Sequence, residues 1–157
     1  MIVLDTHAWV WWMASRAKLG KKAARAIDRA ARIGVPAISV WEVAMKAEAR
    51  QLKFDRPYET WIDDALSLDP RVELLQLQPA ISVGAVKLPW KHGDPADRLI
   101  VATALAYEAP LATADERIHD SARTLRVGLS ARGTFGGCGA RFGSDGVCIT
   151  ATDADCR

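Results

Sequence analysis

Cysteine is scarce: the 157 residues hold three, Cys138, Cys148 and Cys156, all near the C-terminus. The nine and seven residues between them match no paired zinc pattern, and thiols in a reducing compartment build no disulfide framework. Long apolar runs are missing as well. Nothing approaches the roughly 20 apolar residues of a membrane span, and Asp5 stands where a secretory signal needs a basic start and an apolar stretch. These absences point to a cytoplasmic protein with no membrane contact. Charge of one sign is lacking too: 21 Lys and Arg against 19 Asp and Glu leave +2, too even to identify nucleic acid as a partner. The three histidines, His7, His92 and His119, have no zinc-site spacing and read as polar surface or loop residues. No Gly-rich phosphate loop follows the first apolar run, which argues against a nucleotide-binding α/β domain.

What is present suffices for one domain with a real core, at 50% hydrophobic and 25% charged residues. Ile2 to Leu4 reads as a short buried strand followed by a loop at Asp5-Thr6-His7. Trp9, Trp12 and Met13 have helical spacing and should enter the core, leaving Trp11 toward the other side. Leu19 to Ile33 reads as a helix broken by Gly34, Val35 to Ile38 as a strand, and Ser39 to about Arg50 as a helix. Helices are expected over Pro57–Leu68, Pro79–Val86, Pro95–Glu108 and Asp115–Ala122, and strands over Val72–Leu77, Leu111–Thr113 and Leu125–Val127. The Pro- and Gly-containing stretch Leu88–Pro95 reads as a loop. Short apolar strands alternating with helices predict a central parallel sheet covered on both faces, with ligands beyond the carboxyl ends of the strands.

Composition changes at Ser130. The segment from there to Arg157 holds six of the 11 Gly, every Cys, no Leu and no Trp, and shows no apolar period. It divides the chain into a domain over 1–129 and a poorly ordered tail over 130–157, because so little apolar surface cannot offset the entropy of ordering.

Individually, the acids have ordinary explanations. Asp5 suits a turn after a strand. Ser39-Val40-Trp41-Glu42 has capping-box spacing. In Asp94-Pro95-Ala96-Asp97, Asp94 can cap a helix, Pro95 suits its first position and Asp97 complements the dipole. Asp115 follows Leu111–Thr113 and can cap the next helix. Taken together, Asp5, Glu42, Asp97 and Asp115 all fall at or just beyond the carboxyl end of an expected strand, or at the start of the helix nearby. In a parallel sheet those points share one edge. Carboxylates converging there repel unless a hard cation neutralises them, and Mg²⁺ or Mn²⁺ suits such a site. Lys46, Arg50, Lys53, Lys91, His92 and Arg98 offer a route for phosphates, with a solvated face as the ordinary alternative.

Leu4-Asp5-Thr6-His7, Ser39-Val40-Trp41-Glu42-Val43-Ala44, the run from Asp94 to Ala104, and Leu111-Ala112-Thr113-Ala114-Asp115 together resemble the PIN domain, in particular VapC-type toxins of bacterial toxin–antitoxin pairs. The resemblance extends from the start to roughly Gly128; the tail departs from it. It implies a three-layer α/β/α fold with a parallel sheet, frequent homodimerisation, a cognate antitoxin, and Mg²⁺- or Mn²⁺-dependent endoribonuclease activity. The metal-binding and catalytic acids carry over to Asp5, Glu42, Asp97 and Asp115. Asp94 fits a cap or an outer position, and Thr6, Ser39 and Thr113 are placed to orient carboxylates. The expected chemistry is hydrolysis of RNA phosphodiesters by metal-activated water, with no histidine base. The competing expectations are a PIN-like module that binds RNA or a partner without cutting, and a DNA nuclease or flap-type phosphodiesterase.

Overall fold

The computed structural model describes residues 1–89, 94–115 and 118, together with the backbone of 149–150. Five strands form one parallel sheet: β1 (Ile2–Leu4), β2 (Ile33–Pro36), β3 (Val72–Leu75), β4 (Leu111–Thr113) and β5 (Ile149–Thr150). Their order is β3-β2-β1-β4-β5, which puts β1 at the centre. The helices are α1 (Thr6–Ala14), α2 (Lys21–Arg29), α3 (Ala37–Glu48), α4 (Tyr58–Ser67), α5 (Pro79–Lys87) and α6 (Pro95–Ala106), with a single 3-10 turn at Arg16–Lys18.

The three layers follow from the period of β1. Ile2 and Leu4 enter one apolar cluster with Trp9, Ala23, Ile27 and Trp61, from α1, α2 and α4. Val3, between them, enters the other with Ile81 and Ala85 of α5 and Ile100 and Leu105 of α6. Successive strand side chains point to opposite faces, so a strand buried on both sides must be apolar throughout, as this one is. Trp9 is fully buried and packs against Trp61, with the rings tilted at 54° and their centroids 5.4 Å apart. Burying such a side chain contributes roughly 1.5–3 kcal/mol. Among the described residues no helix is long and apolar enough to cross a membrane.

Three local expectations are corrected. Gly34 does not break a helix: α2 stops at Arg29, and Gly34 is buried inside β2. A Cβ there would stand 2.5 Å from Leu75 Cδ1, so the missing side chain allows a close approach between β2 and Leu75. No loop separates Asp5 from α1, which begins at Thr6. The capping box at Ser39 does not form either. β2 runs straight into α3, whose N-cap is Pro36, leaving Ser39 inside the first turn and Glu42 free for other partners.

Elsewhere the elements over 58–67, 72–75, 79–87, 95–106 and 111–113 match their expected places to within a few residues. The helix and strand expected over Asp115–Ala122 and Leu125–Val127 lie outside the described residues, apart from Asp115 and Ile118, and Ile118 is buried. All three cysteines, Lys91, His92 and His119 lie outside them too. Of the segment 130–157 only Ile149 and Thr150 are described, and these pair in parallel with Ala112 and Thr113 of β4.

Candidate acidic site at the carboxyl edge of the sheet

Asp5 is the residue at which the central strand ends. Its backbone N–H still donates to Ala112 O at 2.9 Å, continuing the ladder to β4. Its side chain then caps α1, with Oδ1 accepting the Ala8 N–H at 2.6 Å, while Oδ2 accepts the Ala114 N–H at 3.2 Å. The Thr113 hydroxyl is a further donor to the same carboxylate. The ordinary role of Asp5 as a turn and cap residue is therefore real, and it fixes the carboxylate rigidly at the sheet edge. Asp5 is only 2% exposed, and burial pushes its carboxyl above the ordinary carboxylate range. The hydrogen bonds from Ala8, Thr113 and Ala114, and the charge of nearby His7, pull in the opposite direction without overcoming the desolvation.

Glu42 lies in the second turn of α3 and is buried. Oε2 accepts the Thr6 hydroxyl at 2.6 Å and Oε1 accepts the Lys46 ammonium at 3.0 Å. Because Thr6 follows Asp5 in the chain, the two acids are tied together through the start of α1. Asp115 joins on the other flank, where its backbone N–H donates to the Thr113 hydroxyl at 3.0 Å. One hydroxyl thus accepts from Asp115 and donates to Asp5.

Asp97 arrives from a different element. It is half-buried in the first turn of α6, the helix that packs against α3. Asp94 caps that helix by accepting the Ala96 N–H at 2.9 Å, with Pro95 in the first turn as expected. Asp94 itself is exposed and serves the helix end. Asp5, Glu42 and Asp115 are thus linked through Thr6 and Thr113, and Asp97 stands on the neighbouring helix.

Three residues have contacts that their sequence reading did not specify. Ser39 is buried with its hydroxyl unbonded to protein, so it orients neither Glu42 nor any other carboxylate directly. Arg98 has a structural role: its guanidinium donates to the Ala85, Val86 and Leu88 carbonyls at 2.9, 3.0 and 2.8 Å, closing the end of α5. Lys46, grouped by sequence with the phosphate-facing cations, is instead the partner of Glu42. The i,i+4 spacing of the two on α3 is the signal that identifies it.

The donor set fits a hard divalent cation in kind. It consists of carboxylate oxygens, the hard donors that such an ion prefers. Among the described residues no three Asp, Glu, His or Cys side chains form a ready-made cage. An ion here would be held by a few carboxylates and completed by water and phosphate oxygens, the mode Mg²⁺ favours.

Comparison with known proteins identifies the family and the fold. The PIN domain family model matches residues 2–123. Ribonuclease VapC22 of Mycobacterium tuberculosis is 36% identical over 118 residues, covering 74% of this chain and 88% of the relative. Among solved structures, VapBC2 of Rickettsia felis, crystallised on a DNA fragment from its promoter, aligns at a TM-score of 0.56 and 19% identity, over 76% of this chain and 92% of that one. VapBC-1 of nontypeable Haemophilus influenzae aligns at 0.55 and 22%, over 79% and 94%. At these identities the two structures establish the likeness of fold.

Proposed function

The chain belongs to the PIN domain family, and we propose from its acidic edge that it is a metal-dependent endoribonuclease, the toxin of a toxin–antitoxin pair. The observation that carries the proposal is Asp5 itself: a buried carboxylate at the end of the central strand, next in the chain to the Thr6 that donates to Glu42, and sharing the Thr113 hydroxyl with the backbone N–H of Asp115. Asp5 caps α1 and joins β1 to β4, yet burying a carboxylate costs free energy that a neutral cap would avoid. The name of the M. tuberculosis relative supports the reaction class.

In this reading Asp5 and Asp97 are the direct ligands of Mg²⁺ or Mn²⁺. When bound, the ion stabilises charge on the phosphate oxygens and acidifies a coordinated water. Glu42 and Asp115 orient water at the site or complete the binding of cations. Thr6 and Thr113 hold the carboxylates at fixed angles, so that little reorganisation is left for the reaction itself. The hydrolysis leaves one RNA strand as two.

The same reading assigns a cognate antitoxin as partner, a homodimer as the working form and the cytoplasm as its location. The solved neighbours are toxin–antitoxin complexes, which supports the first of these. A basic side chain of an antitoxin is attracted to converging carboxylates and would compete with the cation there. Expressed alone in a bacterial host, the protein should arrest growth, and co-expression of its antitoxin should relieve the arrest. Equal arrest by wild type and Asp97→Asn would show that any toxicity is not nucleolytic.

A further inference from the structure

Both carboxylate oxygens of Glu42 are engaged. Oε2 is taken by the Thr6 hydroxyl at 2.6 Å and Oε1 by the Lys46 ammonium at 3.0 Å. The ion pair is sheltered, with the Lys46 side chain 20% exposed and that of Glu42 8%. Both residues belong to α3, four positions apart, so the backbone presets their approach and little side-chain freedom is lost in making the contact. Shelter from water also makes the attraction stronger than that of a surface pair, and makes removal of one partner costly to the other.

From this we infer that Lys46 is a positioning residue that supplies the second positive charge of the site, so that the protein binds one divalent ion per chain and not two. The inference rests on the nuclease reading above and specifies its metal stoichiometry. A carboxylate whose charge is already offset by an ammonium is a weaker ligand for a second dication. Lys46 also fixes which way the Glu42 carboxylate faces, because Thr6 and Lys46 grip its two oxygens separately. An ammonium at this position offers phosphate the electrostatic service of a second cation, without requiring a second ion to be recruited from solution.

The test is a count of Mn²⁺ bound to the full chain in the absence of RNA, by electron paramagnetic resonance of free Mn²⁺ or by calorimetry. Wild type should bind one ion per chain. Lys46→Met, which keeps the aliphatic stem and frees Glu42, should bind two, and Lys46→Arg should return to one. RNA cleavage by Lys46→Met should fall at least tenfold and be partly restored in Lys46→Arg. Two ions on wild type, or one on a folded Lys46→Met, would overturn the inference while leaving the nuclease reading intact. Should Lys46→Met fail to fold, the wild-type count alone decides between one ion and two. No Mn²⁺ binding at all would strike the nuclease reading, and this inference with it.

Discussion

Asp5 Oδ2 accepts the backbone N–H of Ala114 at 3.2 Å, joining the residue that follows β1 to the residue that follows β4 across 109 positions of chain. The bond makes the sheet edge and the acidic site one structure. The strand ends are held together by a carboxylate that, in the proposed reaction, also holds the cation.

Substitution at this position should separate the two roles. Asp5→Asn should abolish cleavage while the protein stays folded, because the amide oxygen can still cap α1. Burial raises the folded-state pKa of Asp5 above its ordinary 3.8, so the folded protein binds this proton more tightly than the unfolded chain does. Ionisation of Asp5 therefore subtracts stability as pH rises from 3.8 through the folded-state value, and below 3.8 both states are protonated and the penalty vanishes. Thermal melts in EDTA should show the Tm of Asp5→Asn gaining on that of wild type as pH rises over this window. A difference that is flat with pH, or that moves toward wild type, would contradict the assignment.

A milder effect is expected one residue on. Thr6→Val preserves shape and removes the donor to Glu42 Oε2. Loss of such an orienting contact typically costs about 10–100-fold in activity or metal affinity, and Thr6→Ser should recover most of it. Steady-state cleavage of a defined RNA measures both. Wild-type activity in Thr6→Val would mean that Lys46 alone holds Glu42.

Arg98 gives a prediction of the opposite kind, stability without chemistry. Its guanidinium bonds three carbonyls at the end of α5. Each hydrogen bond to a charged group contributes about 1.5–3 kcal/mol, and the three share one side chain. Arg98→Met should lower the urea-unfolding free energy by about that amount. A loss of RNA affinity with unchanged stability would return Arg98 to the phosphate route.

Much of this was legible in the residues themselves. Short buried strands at Ile2–Leu4 and Leu111–Thr113, apolar but for Thr113, could belong only to a sheet covered on both faces, and Asp94-Pro95 marked the start of α6 to the residue. Other features depended on contacts across the chain. Gly34 reads locally as a helix breaker, and only its approach to Leu75, 41 positions later in sequence and beside it in the sheet, explains its place in β2. Ser39 and Glu42 satisfy a local capping pattern that tertiary structure overrides, because β2 passes into α3 at Pro36 without a turn. At the site, the carboxylates could be picked out by position. Their partners Ala114 and Lys46 could not be assigned until the helices and strands were in place, although the Glu42–Lys46 spacing was there to be read.

The central claim is that this acidic edge cuts RNA with the help of a divalent ion. The most direct measurement incubates purified full-length protein with total RNA in Mg²⁺ or Mn²⁺, then with EDTA, alongside folded Asp97→Asn. The account predicts discrete RNA fragments with wild type and metal, none with EDTA, recovery when metal is restored in excess, and none with Asp97→Asn at any metal concentration. Cleavage that persists unchanged in EDTA, or in Asp97→Asn, would contradict it.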